Sequence, residues 1–160
     1  MAIPNPTDSN NPDPPDFFKI TQDEALSGIL YYRWQEITKC LQAHAHLAGI
    51  IMMGSILEGI LLAVARRFPE QAMAAATVPK DKSGKTRSLD KWALNDLIDV
   101  AHDRGWIKQD AREFSHELRR YRNLVHIFEQ KERNEKPNEQ TCQICWGVVR
   151  TALYDLEKVG

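Results

Sequence analysis

At 160 residues the chain has the length of one domain and enough apolar side chains to bury a core without disulfides or metal. Its 21 Lys and Arg against 22 Asp and Glu leave a formal net charge of −1, so no global field draws it to nucleic acid or an anionic membrane, and any such contact must be a local patch. Three cysteines cannot all pair within one chain and no signal-peptide pattern opens it, which together predict a cytoplasmic protein.

Residues 1–16 hold five of the eight prolines among Asn, Asp and Ser and have almost nothing to bury. They predict a disordered or extended tail, with a single helical domain over residues 17–160. Thr21-Gln22-Asp23-Glu24 has the form of a capping box, and Leu26, Leu30, Trp34, Ile37 and Leu41 follow at helical spacing, which places the start of the first helix near Gln22. From Leu47 to Ala65 the only polar side chains are Ser55 and Glu58. Nineteen residues barely span a bilayer, and a carboxylate in mid-membrane costs roughly 2.5–3.5 kcal/mol, so the run is assigned to the centre of a bundle rather than to a membrane. Gly49, Gly54 and Gly59 would let neighbouring helices approach closely, and Glu58 would meet a basic side chain from another helix; Arg66, Arg67 and Pro69 close the segment.

Between 69 and 88, Pro69, Pro79 and Gly84 accompany Lys80, Lys82, Lys85 and Arg87, which predicts a basic, mobile loop, with a short helical turn over Gln71–Ala76. The loop is either a solvated linker or a clamp on a nucleic-acid backbone. Ser88 is the expected cap of a third helix carrying Leu89, Ala93, Leu97, Ile98 and Ala101, ended by Gly105. A fourth helix is expected from Asp110 to Arg133, with Phe114, Leu118, Tyr121, Val125 and Phe128 as its core stripe. Cys142, Cys145, Val149, Ala152, Leu153 and Leu156 define the buried face of the last. No strand pattern occurs, so the fold class is all-α, an antiparallel bundle of about five helices.

At about 100° per residue, Ser115, Arg119, Arg122 and His126 share a quadrant of the fourth helix, away from its expected core stripe. Arginine holds a phosphodiester through paired hydrogen bonds and stabilises the charge that develops on cleavage, and histidine transfers a proton at neutral pH. Arg119, Arg120, Arg122, Asn123 and His126 are therefore the candidate catalytic set. The alternative is a solvated helix face whose arginines pair with Glu113, Glu117 or Glu129.

Elsewhere, Cys142-Gln-Ile-Cys145 has the gap of a zinc knuckle but no second pair, so core packing is the reading. His44 and His46, two apart on an expected helix, should point to different sides. His102 and His116 have no companion ligands at metal spacing, and the tryptophans Trp34, Trp92, Trp106 and Trp146 sit at core or interface positions. No cofactor or metal is implied.

Over roughly residues 22–130 the chain resembles the HEPN superfamily (higher eukaryotes and prokaryotes nucleotide-binding domain), in particular a bacterial branch known as a domain of unknown function. The resemblance rests on Gly54-Ser55-Ile56-Leu57-Glu58 in an apolar helix, on the helix Leu89–Ile107 with its Gly turn, and on Arg120-Tyr-Arg-Asn-Leu-Val-His126. It implies a helical bundle, often a homodimer. It also implies a metal-independent endoribonuclease whose site is an Arg, four to six further residues and a His, a spacing that Arg119 or Arg120 makes with His126. A stricter form has Arg and a polar residue further from the His than Arg122-Asn123 stand here. The resemblance implies RNA as substrate and a cognate antitoxin or other protein as partner, in toxin–antitoxin or phage-defence systems. Other relatives are non-catalytic dimerisation or interaction modules, which is the alternative it leaves open.

Overall fold

The computed structural model describes residues 12–160, so residues 1–11 of the expected tail lie outside the described part. Pro12 to Asp16 have no regular structure, although Asp13 and Pro15 line a cavity with Trp34 and Tyr154. Eight α-helices follow among the described residues, and no strand beyond one isolated bridge between Lys80 and Thr86. The three beyond the expected five are two short helices, α1 (Phe17–Thr21) and α4 (Pro69–Met73), and one made by a break in the expected fourth helix.

The Asp16 carboxylate accepts from the Lys19 N–H and starts α1, which buries Phe17 and Ile20 completely. A left-handed Gln22 (φ 53°) ends it, and α2 runs Glu24–Gln42. The capping box expected at Thr21 is not formed. Asp23 is the cap, accepting from the Leu26 N–H at 2.9 Å, while the Thr21 hydroxyl pairs with Ser27 at 2.9 Å. The turn of α1 holds Thr21 inward and leaves the next carboxylate free to cap.

α3 (His46–Arg67) is the axis of the bundle and touches α1, α2, α4, α5 (Leu94–Asp103), α6 (Gln109–Arg122) and α8 (Glu139–Leu156). It is long and apolar enough to cross a membrane, but over half of its most apolar window is buried inside the bundle, with Ile50, Met53, Ile56 and Ile60 fully so. Apolar residues all round it are what a helix with neighbours on every side requires. The close approach expected at its glycines is made at Gly54: a Cβ there would lie 2.5 Å from Arg122 Cγ, against 3.4 Å to Cys40 Cβ at Gly49 and 3.9 Å to Leu30 at Gly59.

Ser88 does not cap the third helix. Leu89–Lys91 form a single 3₁₀ turn, the buried Trp92 indole N–H donates to the Arg87 carbonyl, and α5 starts only at Leu94, with the Asp96 carboxylate accepting the Ala93 N–H at 2.9 Å. Gly105, at φ 72°, stands where a left-handed residue was expected.

The helix expected over Asp110–Arg133 breaks. α6 stops at Arg122, Asn123–Val125 make a 3₁₀ turn, His126 is extended, and α7 covers Ile127–Arg133. The expected core stripe holds only in part: Leu118 is buried and Tyr121 packs against the core, but Phe114 is 52% exposed and Phe128 77%. Ala111 and Ser115 are buried beside Leu118, because two small side chains let α6 come close to α3 and α8 where an aromatic would hold it off. α8, capped by Asn138 on the Thr141 N–H, buries every residue of its expected face, and its Trp146 packs at a tilt against Trp34 of α2, with ring centroids 4.4 Å apart.

Gly54→Ala is expected to destabilise the fold by roughly 1–3 kcal/mol through overpacking, although alanine is the better helix former by about 1 kcal/mol. Gly28→Ala, where the added Cβ meets nothing within 4 Å, should show only the gain. Urea unfolding midpoints of the two variants measure the contrast.

Candidate functional site

Arg119, Arg120 and Arg122 occupy the last turn of α6, where the helix dipole favours cations, and Asn123 opens the 3₁₀ turn that carries the chain to His126. Two of the three guanidinium groups are already engaged. Arg122 lies over Gly54 and forms an ion pair with Glu58, so the basic partner expected for Glu58 is one of the candidate site residues themselves. Arg120 donates to Glu117 at 3.2 Å and to Glu135 at 2.8 Å and covers the Tyr121 ring. Arg133 ties the same region together, donating to the Arg120 carbonyl, to Glu129 and to Glu135. The Arg120 hydrogen bond, helped by Arg133, holds Glu135 below the usual carboxylate range.

Arg119 differs. It is half-buried, its buried Nε has no acceptor among the described residues, and one turn earlier the fully buried Ser115 hydroxyl has none either. The expected division of this helix into a packing face and a free basic face is therefore corrected: Ser115 and Arg122 face the bundle, while Phe114 faces out. Among the carboxylates expected to neutralise this face, Glu117 pairs with Arg120 and Glu129 with Arg133, while Glu113 accepts from Gln109 instead.

His126 is exposed. Its main chain is fixed, with its N–H donating to the Asn123 carbonyl and its own carbonyl accepting from Gln130 N–H, both at 3.0 Å, but its ring has no hydrogen bond among the described residues. Val125, Ile127 and Phe128 around it are exposed too.

Lys80, Lys82, Lys85 and Arg87 are all exposed, on a segment that is folded on itself rather than open. Asp81 accepts from the Ser83 N–H and hydroxyl and from the Lys85 N–H, the Arg87 N–H reaches the Pro79 carbonyl, and Gly84 takes φ 82°. The Ser83 hydroxyl is the largest cause that holds Asp81 below its ordinary range. The adjoining 3₁₀ turn packs on α3, and its Asp90, held low first by Ser88, also feels Arg66. Twelve residues of α3 separate Arg66 from Gly54, roughly 18 Å along the axis, so the basic turn and the α6–α7 elbow are not brought together in one chain.

Two groupings escaped the sequence. Asp99 of α5 accepts at one oxygen from Arg112 at 2.8 Å and His116 at 2.9 Å, both on α6. The spacing of Arg112 and His116 by four was the available signal; the carboxylate came from another helix. Burial pushes Asp99 up, but the His116 and Arg112 hydrogen bonds outweigh it and hold the acid below its ordinary value. The second grouping is His44 and His46. His44 sits in the α2–α3 turn at φ 54° and His46 is the first residue of α3, so the two are not on one helix, and their rings come within 6.0 Å on one cavity instead of pointing apart. The cysteine pair packs in the core as expected, burial pushing the thiols of Cys142 and Cys145 up to about 11 and about 12. All four tryptophans are likewise buried.

Compared with models of known protein families, with curated proteins and with solved structures, the chain matches none.

Because Asp99 has a lowered folded pKa, its contribution to stability is present above the unfolded value near 3.9 and is lost as pH falls through the folded value. Asp99→Asn should cost about 1 kcal/mol at pH 6, a difference that shrinks as the pH is taken down to about 3; urea unfolding of both proteins at the two pH values measures it.

Proposed function

We propose that the chain is an HEPN-like module that self-associates through the α6–α7 elbow and there forms a metal-independent endoribonuclease site. The observation that supports this is the setting of His126: an exposed imidazole with no partner of its own, on a fixed main chain, flanked by exposed Val125, Ile127 and Phe128. Exposed apolar side chains grouped in one patch mark an interaction surface, and in a two-fold dimer a residue near the axis meets its own copy.

In the paired site one His126 takes the proton of the ribose 2′-hydroxyl as that oxygen attacks the adjacent phosphorus. The partner's His126 protonates the departing 5′-oxygen, leaving a 2′,3′-cyclic phosphate and a 5′-hydroxyl. Arg119, whose buried Nε has no acceptor among the described residues, stabilises the charge on the phosphorane. Arg122 and Glu58 fix the elbow, Asn123 orients the phosphate or the imidazole, and Arg120 reaches substrate only by leaving Glu117 and Glu135. The biological setting proposed is a cytoplasmic toxin–antitoxin or phage-defence system.

The engagement of Arg120 and Arg122 by carboxylates favours a second reading, a non-catalytic HEPN-like module whose elbow binds a protein or nucleic-acid partner. Mixed cellular RNA incubated with EDTA and the native protein, His126→Ala, Arg119→Ala or Phe128→Asp separates the two. The nuclease reading expects native cleavage, a loss of at least about 100-fold in the His126 and Arg119 variants, and a Phe128→Asp protein that is monomeric by light scattering and inactive. A dimeric native protein that leaves RNA intact supports the interaction module, and cleavage by all four proteins alike overturns the site.

A further inference from the structure

The turn between α2 and α3 opens on a cavity of about 270 Å³ whose walls come from three separate elements. His44 and His46 line it from the turn and the adjoining first residue of α3, Gln130 from α7, and Lys136 from the connector between α7 and α8. None of the four is acidic, and every one carries an N–H donor. Lys136 is exposed and forms no ion pair among the described residues. The carboxylate beside it, Glu135, is occupied by Arg120 and Arg133.

Two features leave polar groups unsatisfied here. The Nδ1 of His46 is buried and has no hydrogen-bond partner among the described residues. The floor of the cavity is also the first turn of α3: Ala45, at the cap position, offers no side-chain acceptor, no acid stands in that turn, and the first helical bond runs from the Gly49 N–H to the Ala45 carbonyl. The N–H groups of His46, Leu47 and Ala48 thus stand at the cavity without intrahelical partners, at the positive end of a 22-residue helix.

We propose that this cavity is an oxyanion site that takes a phosphate group. The imidazoles and Lys136 grip its oxygens from the sides and the α3 amides from below, the geometry by which helix N-termini hold phosphate. The site needs neither His126 nor self-association, so it stands whether or not the protein cuts RNA. Its source of phosphate does rest on the reading above. Gln130 lies one turn after His126 on α7, about 6 Å along the axis, so a strand whose backbone is held in the cavity passes the imidazole.

The test follows the histidine ring resonances of the His126→Ala protein, which cannot cleave under the nuclease reading, during titration with inorganic phosphate, adenosine 5′-monophosphate and a short oligouridylate. Saturable shifts confined to His44 and His46 are expected, weakened at least tenfold in Lys136→Glu and in His44→Asn, the latter chosen because asparagine tolerates the left-handed backbone at 44. Tighter binding of the oligonucleotide assigns the phosphate to a nucleic-acid backbone, and tighter binding of the monophosphate assigns it to a free nucleotide. Shifts that do not saturate, that spread over all the remaining histidines, or that survive both substitutions mean an adventitious ion only and overturn the proposal, while leaving RNA cleavage by the native protein to stand or fall separately.

Discussion

The contact between Gly54 and Arg122 organises this molecule. Removing one Cβ from the middle of α3 lets the stem of an arginine on α6 lie against the helix backbone and its head meet Glu58. A half-buried guanidinium beside a half-buried carboxylate is tolerable because each satisfies the other, and removing either would strand a charge between two helices. From that point the geometry of α6 follows: Leu118 and Ser115 turn inward one and two turns earlier, and the chain just beyond Arg122 tightens into the 3₁₀ turn that presents His126 to solvent.

The central helix, the last helix and the helical class were legible because their signals are long runs of one kind: nineteen nearly apolar residues for α3, and a repeating small-and-branched face for α8. The α6–α7 region was not, for a physical reason. Two stripes that share Leu118 compete there, one of large apolar residues through Phe114 and Val125 and one of smaller residues through Ala111 and Ser115. Hydrophobicity favours the first, but close packing against α3 and α8 selects the second. The break at His126 lacks any Pro or Gly to announce it.

The candidate site was legible as a list of residues and not as an arrangement. Arg119, Arg120, Arg122, Asn123 and His126 are neighbours in sequence, and Glu117 stands one turn away, but the other carboxylates that occupy two of the arginines arrive from α3 and from the connector after α7. The same holds for Asp99 with His116, and for Lys136 with His44 and His46. Polar chemistry in a helical bundle is set by which helix ends meet, which local spacing does not encode. What the structure leaves is an uneven distribution of charge: most cations near the elbow are spent on holding it, and the unspent donors gather at Arg119 and around the first turn of α3.

The exposed placement of His126 beside a structurally committed Arg122 has an evolutionary consequence. Substitution at 126 breaks no side-chain hydrogen bond or ion pair among the described residues, whereas substitution at 122 undoes the junction of two helices. Selection for a folded chain alone would hold the arginine and let the histidine drift. Relatives held only to a stable bundle would therefore keep the arginine, and persistence of the histidine would record selection on what the elbow does.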